Sequence, residues 1–282
     1  MQRELTLGVL GAVLGAGVLH AVWNAILKSV TDRLVAFAWV GLALAAATPP
    51  VLLATGLPSR VAIELGIVSA GLHVAYDFSL MNAYRLGSFN QMYPVARGTS
   101  PLLVALGAAL FVGERPSGPA LAGIVVLAAG LMSLALSSGR FERAELPALG
   151  AAALTGVTIA TYSLIDGIAV RHSGNPLAYT AFVFMLEGPV FVLAAAARRP
   201  PAAWVAGGVA WRGALAGLLS AVAYGVVLWA QTKAPLAEVS ALRETGVISA
   251  AVIGALFFKE RFGLRRLGAA AVVALGIVLI GL

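Results

Sequence analysis

With 282 residues, 60% of them hydrophobic and only 11% charged, and a mean hydropathy of +0.95, the chain is far more apolar than a soluble domain, in which about a quarter of residues are charged. Its formal charge of +7 is carried mostly at the ends of apolar runs, where membrane orientation and lipid headgroups account for it, so a nucleic-acid partner is not implied. The absence of cysteine excludes disulfides, thiol nucleophiles and thiolate-held metals.

Turn and charge punctuation divides the sequence into ten apolar segments, near 5–27, 34–55, 61–84, 89–112, 119–137, 146–169, 177–197, 211–232, 237–258 and 264–282. Each is close to the roughly 20 residues that carry a helix across a hydrocarbon core. None alternates with the period of a barrel strand. The expected fold class is therefore an all-α integral membrane protein with ten transmembrane helices. The first segment carries His20, Trp23, Asn24 and Lys28 without a small-residue cleavage pattern, which predicts a retained span rather than a signal peptide.

Polar residues recur at helical spacing along these segments. His20, Trp23 and Asn24 share a face of the first; His73, Tyr76, Asp77 and Tyr84 share one on the third; Thr155, Thr158, Tyr162 and Asp166 share one on the sixth; Tyr224 and Gln231 extend the series on the eighth. Lipid tails satisfy no hydroxyl or carboxylate, so these faces are expected to point inward. Interhelical hydrogen bonding is the plainer reading of each residue taken alone, and Tyr84 or Trp229 also suits an interfacial anchor. Pro94, Pro101 and Pro189 lie inside segments, where a missing amide loosens the helix.

The two halves resemble each other. GAVLGAGVLHAVWNAI (11–26) lies over GAAALTGVTIATYSLI (150–165), and Val74-Ala75-Tyr76 over Val222-Ala223-Tyr224. Arg97-Gly98-Thr99 lies over Arg243-Glu244-Thr245, Gly107 to Phe111 over Ile253 to Phe257, and Glu114-Arg115 over Glu260-Arg261. The rarer residues fall in the same order in both copies, which predicts units at 1–139 and 140–282. Five spans per unit make the second copy enter from the opposite face, as an inverted repeat with a site near the midplane between the copies.

Ten spans in two halves, each with a Gly-rich opening helix and a fourth helix closing on a Glu-Arg hairpin (FVGERPSG and FFKERFG), resemble the EamA-type branch of the drug/metabolite transporter superfamily. The resemblance covers essentially the whole chain. It implies alternating access around a central cavity lined by helices 1, 3, 4, 6, 8 and 9, export of amino acids or other small metabolites, and a bacterial inner (cytoplasmic) membrane. Related sugar-phosphate transporters hold phosphate with basic residues on helices 4 and 9.

Arg97 lies about 12 Å into its helix and Arg243 about 9 Å into its own. A central arginine costs at least about 2.5 kcal/mol on insertion scales, so each needs compensation. Two readings stand: internal pairing with Glu244, Asp77, Asp166 or Glu187, or contact with a substrate carboxylate or phosphate in a wet cavity, which suits the planar guanidinium fork. The substrate-binding candidates are Arg97, Arg243, Glu244, Trp23, Asn24, His20, Tyr76, Tyr162 and Tyr224. Asp77, Asp166, His73, Pro94 and Pro101 are the candidates for proton coupling or gating.

No zinc, nucleophile-elbow, phosphate-loop or paired-aspartate motif occurs, which argues against an intramembrane enzyme and against a cofactor or metal. The expected function is secondary transport of a small carboxylate-bearing solute, an amino acid first among them, driven by protons or a counter-substrate, by a monomer or homodimer in the bilayer. The alternative is a polyspecific exporter of cationic drugs. The small four-helix members of the superfamily use a glutamate in helix 1 for that task, and here helix 1 has no acid after Glu4. Loop charges add a conflict. The resemblance implies cytoplasmic termini, yet five Lys/Arg (Arg3, Arg60, Arg115, Arg171, Lys233) fall on the N-terminal side and twelve on the other, which by the positive-inside rule favours external termini.

Overall fold

A computed structural model describes residues 4–86, 89–137, 143–249, 252–253 and 264–282. The described residues are helical throughout, with no strand. Helices α1 (Leu7–Lys28), α2 (Arg33–Thr55), α3 (Arg60–Leu86), α4 (Phe89–Gly107), α5 (Gly118–Ser137), α6 (Leu146–His172), α7 (Pro176–Ala196) and α8 (Val209–Lys233) start and stop within three residues of the expected segments, except that α4 ends five residues early. These eight contain the stretches long and apolar enough to cross a membrane. The last helix, α10 (Leu264–Ile280), holds a shorter apolar stretch.

Local chemistry sets the helix ends. The Thr6 hydroxyl accepts from the Val9 N–H at the start of α1, Asp32 accepts from Leu34 and Val35 at the start of α2, and Asn175 caps α7 ahead of Pro176. Gly56, with φ of 76°, closes α2. Large apolar side chains such as Leu53, Leu106, Phe111, Leu193 and Leu275 point outward, an arrangement that only a lipid surround makes favourable.

The ninth segment departs from a single predicted span. Helix α9 runs only from Leu236 to Arg243. Glu244 and Thr245 then turn, their amides bonding three residues back to Ala241 and Leu242, and helix resumes over 246–249. Close packing accompanies the break: a methyl group on Gly246 would sit 2.8 Å from the Gly17 carbonyl oxygen, so α1 and the resumed helix meet backbone to backbone. The expected Glu260-Arg261 hairpin, the matches at Gly254 to Phe257, Arg3 and Arg140, and the side chains of Tyr84 and Arg85 lie outside the described residues.

Two arginine-bearing helices are thus drawn into the middle. α4 packs on α5 and α6, α9 on α1 and α4. Gly156 of α6 permits the first approach, since a methyl there would lie 2.9 Å from both the Ala96 carbonyl oxygen and Thr99 Cβ. Pro94 and Pro101 lie inside α4, and Pro189 inside α7. Pro101 has no amide to give to the Arg97 carbonyl, which instead accepts from Ser100 Oγ at 3.4 Å. Sequence reading passed over Pro49 and Pro50, which lie inside α2. α4 then loosens into a π-turn over Ala108–Val112, ended by Gly113 at φ 74°.

Candidate functional site

Arg97 and Arg243 converge on one carboxylate. Arg97 donates through one terminal nitrogen to both Glu244 oxygens, at 3.3 and 3.0 Å. Arg243 donates to Glu244 Oε1 through Nε at 3.3 Å and a terminal nitrogen at 3.1 Å, and reaches Ser163 Oγ at 3.3 Å. The ion-pair reading drawn from the sequence therefore selects Glu244. Asp77, Asp166 and Glu187 have no recorded ion pair with either arginine.

The expectation of arginines open to water is corrected by their burial. Arg97 and Arg243 are 5% and 6% exposed and Glu244 1%, so in this conformation the group is sealed. Among the described residues its charge is nevertheless unbalanced, with two permanent cations sharing the Glu244 carboxylate. Tyrosine and histidine take up the remaining donors. Arg97 reaches His20 Nε2 at 3.1 Å and Tyr76 Oη at 3.5 Å, and lies 5.2 Å from the Tyr93 ring centre. Arg243 lies 5.8 Å from the centre of the Tyr162 ring.

His20 also faces the Trp23 indole nitrogen across 3.3 Å. Arginine and indole are donors only, and a neutral imidazole has one acceptor nitrogen, so one of the two contacts is a hydrogen bond at a time. The shorter, charge-assisted Arg97 contact is the stronger competitor. Asn24, by contrast, is turned onto its own helix, donating to the His20 carbonyl at 2.7 Å. Thr155 and Thr158 do the same, bonding to the Ala151 and Thr155 carbonyls of their own helix rather than making the expected interhelical bonds.

A second, acidic group lies beside the first. His73 stacks on Tyr162 with ring centres 3.9 Å apart, and Tyr162 in turn meets Tyr76 and Tyr224 edge-on. His73 Nε2 is 3.8 Å from Asp166, and Nδ1 is 3.1 Å from Glu187 Oε1. That oxygen is buried with no hydrogen-bond partner among the described residues, and Nδ1 also lies 3.1 Å from the Ser69 carbonyl oxygen and 3.2 Å from Ser69 Oγ. Asp166 is fully buried and accepts from the Tyr179 hydroxyl at 2.6 Å and from the Tyr224 hydroxyl. Asp77 remains partly exposed on α3.

The structure thus gathers Arg97, Arg243, Glu244, His20, Trp23, Tyr76, Tyr162, His73, Asp166 and Tyr224 into one connected set. Sequence reading missed Ser163, Tyr93 and Tyr179 entirely, and named Glu187 only as a partner for arginine or as an acid available to a cationic solute. Ser163 follows Tyr162 directly, and a search for hydroxyls next to the aromatic face would have found it. Nothing in the sequence ties Tyr179 to Asp166, since that pairing depends on how α7 docks on α6.

The sequence of residues 146–282 matches the EamA-like transporter family. The fold is similar to that of a protein of known crystal structure, with a TM-score of 0.78 over 96% of this chain and 94% of the other at 18% sequence identity. At that identity the likeness speaks to the fold alone. No curated protein matches the sequence significantly.

Proposed function

Through residues 146–282 the chain belongs to the EamA-like transporter family, and from that premise we propose that it is a ten-helix secondary transporter moving an amino acid or a similar carboxylate-bearing solute, outward, by alternating access. Membership makes it a membrane transporter; cargo, direction and mechanism are the proposal. Two inverted five-helix units are part of it. The packing supports them, because exchanging the halves maps α1 on α8 to α6 on α3, α2 on α8 to α7 on α3, and α4 on α6 to α9 on α1.

One observation carries the cargo reading: two buried guanidinium groups share one carboxylate at the break in α9. A cargo carboxylate arriving there would bring the second negative charge, bonding Arg243 and Arg97 on the sides that Glu244 leaves. Ser163, which touches Arg243, and Asp166 are three residues apart on α6, roughly 4.5 Å of helix rise. An ammonium group beside the carboxylate would then approach Asp166, Glu187 and Asp77, with Tyr76, Tyr162 and Tyr224 along the solute. His73, Asp166 and Asp77 are the proposed carriers of a coupled proton, and Pro94 and Pro101 the points where α4 bends.

The same acidic group favours a second reading, a cationic drug with no carboxylate. A thermal-shift comparison of the purified protein separates the two, since a ligand that binds only the folded state raises apparent stability. The amino-acid reading expects α-amino acids to shift the midpoint upward, and Arg243→Gln to remove the shift. Stabilisation by quaternary amines that persists in Arg243→Gln, with none from amino acids, would replace it with the second reading.

A further inference from the structure

A second arginine–glutamate group, partly buried, sits where α6 and α8 end and α9 begins. Arg171, at the last turn of α6, donates at 2.7 Å to Glu114 Oε1, at 2.7 Å to the Gln231 carbonyl and at 3.0 Å to the Ala234 carbonyl. The other Glu114 oxygen accepts from the Leu236 amide at 2.9 Å. Helix α9 needs that acceptor. Its own N-cap is Pro235, which makes no side-chain capping bond, so an N-terminal N–H is satisfied by a carboxylate 122 positions away in sequence. A negative charge at a helix N-terminus is also favoured by the helix dipole.

The connectivity makes this more than a tie between loops. Glu114 follows the π-turn and Gly113 that end α4, the helix of Arg97. Leu236 opens the eight-residue helix that ends at Arg243. The Glu114 carboxylate therefore fastens the two arginine-bearing helices to each other at one end of the bundle, and Arg171 fastens both to α6 and α8. Leu236 is itself fully buried and packs where Gly167 leaves α6 without a side chain, since a methyl there would lie 2.6 Å from Leu236 Cδ2.

Two polar atoms lie along the chain between this contact and the centre. Gln231 Oε1, one turn before Ala234 on α8, and Ser240 Oγ, one turn past Leu236 on α9, are buried with no hydrogen-bond partner among the described residues. Unpaired buried polar atoms are costly and rare. A closed arrangement that leaves two of them along one stretch is strained relative to an open one that wets them.

We propose that Glu114, Arg171 and the Leu236 amide form a latch that closes this end of the bundle over the central arginines. Parting α4 from α9 at this end requires the Glu114 bonds to break, and α9, a rod of about 12 Å, carries the movement to Arg243 and Glu244.

The test uses the full chain, whose lack of cysteine makes one introduced thiol unique. Ser240→Cys preserves shape and places a thiol behind the latch, on the same α9 face as Arg243 by its spacing of three. The purified protein in lipid nanodiscs is treated with a charged methanethiosulfonate reagent, both faces being accessible. Adding Glu114→Gln should raise the labelling rate roughly tenfold or more, the scale of losing a charge-assisted hydrogen bond, and Arg171→Gln should do the same. Ala36→Cys, buried near the Asp32–Arg199 contact, should keep its rate in all backgrounds. Equal Ser240→Cys rates with and without the latch residues would overturn the proposal. So would a parallel rise at Ala36→Cys, which would signal general loosening. If one latch variant fails to fold, the other decides. No cargo is needed, so the outcome is independent of the transport reading.

Discussion

Two arginine–glutamate groups stand out among the described residues, one sealed at the centre and one partly exposed at the latch. At the centre two guanidinium groups divide one carboxylate, and tyrosines, Ser163 and His20 supply what the missing anion does not. At the latch Arg171 donates to Glu114 and to two backbone carbonyls, and Glu114 also accepts from a helix amide. Burying ions repays its desolvation cost only when the partners are complete. The latch is partly open to solvent, so its ions bear less of that cost. The centre is sealed, and among the described residues its two cations share one carboxylate, the deficit on which the proposed cargo site rests.

Removing the anion from each group should give the largest effects and rank the two. Glu244→Gln leaves two buried cations with no counter-charge and should cost about 3–5 kcal/mol, read as a lowered unfolding midpoint. Glu114→Gln leaves the Leu236 amide a neutral acceptor at a partly exposed site, so its cost should be smaller, about 1.5–3 kcal/mol. Equal losses would erase the distinction drawn between the groups. Removing a cation from the centre should behave differently from removing the anion. Arg243→Gln leaves Arg97 and Glu244 as a balanced pair, so stability should fall by less than in Glu244→Gln while amino-acid binding is lost. Ser163→Ala withdraws one neutral partner of Arg243 and should cost about 1 kcal/mol, with binding retained in a ligand-shift assay.

The smallest expected effect lies outside the membrane and sets the scale for an exposed pair. Burial alone would raise the Asp32 carboxyl, but the hydrogen bond from Arg199 and those from the Val35 and Leu34 amides outweigh it and hold it below the usual carboxylate range. A depressed folded-state value means that the contribution is present above the unfolded pKa of about 3.9 and is lost as pH falls through the lower folded value. Asp32→Asn should remove it at neutral pH, by a few tenths of a kcal/mol, and should flatten the acid limb of a stability–pH curve.

Much of this was legible in the sequence because lipid is a strict solvent. It demands runs of about 20 apolar residues, and the eight long helices fall where those runs are. It penalises charge, so Arg97, Arg243 and Glu244 stood out against their surroundings, and the structure brings the three together. The break in α9 was not legible. No proline marks it, and it goes with backbone contact between Gly17 and Gly246, which only the docking of α1 reveals. Glu187 beside His73 and Tyr179 on Asp166 were hidden for the same reason, since helix registry across the bundle leaves no mark in local spacing. Glu114 was read as part of a repeated hairpin, but the amide it caps is 122 residues on.

The central claim is that the charge-deficient pair of arginines receives the cargo carboxylate. Counterflow in proteoliposomes tests it most directly, with labelled amino acid outside and excess unlabelled amino acid inside. The account predicts saturable accumulation by the native protein and at least about a tenfold loss in both Arg97→Gln and Arg243→Gln, the scale of one charged hydrogen bond, with Ser163→Ala close to native. Full flux in both arginine variants, at matched protein content, would contradict it.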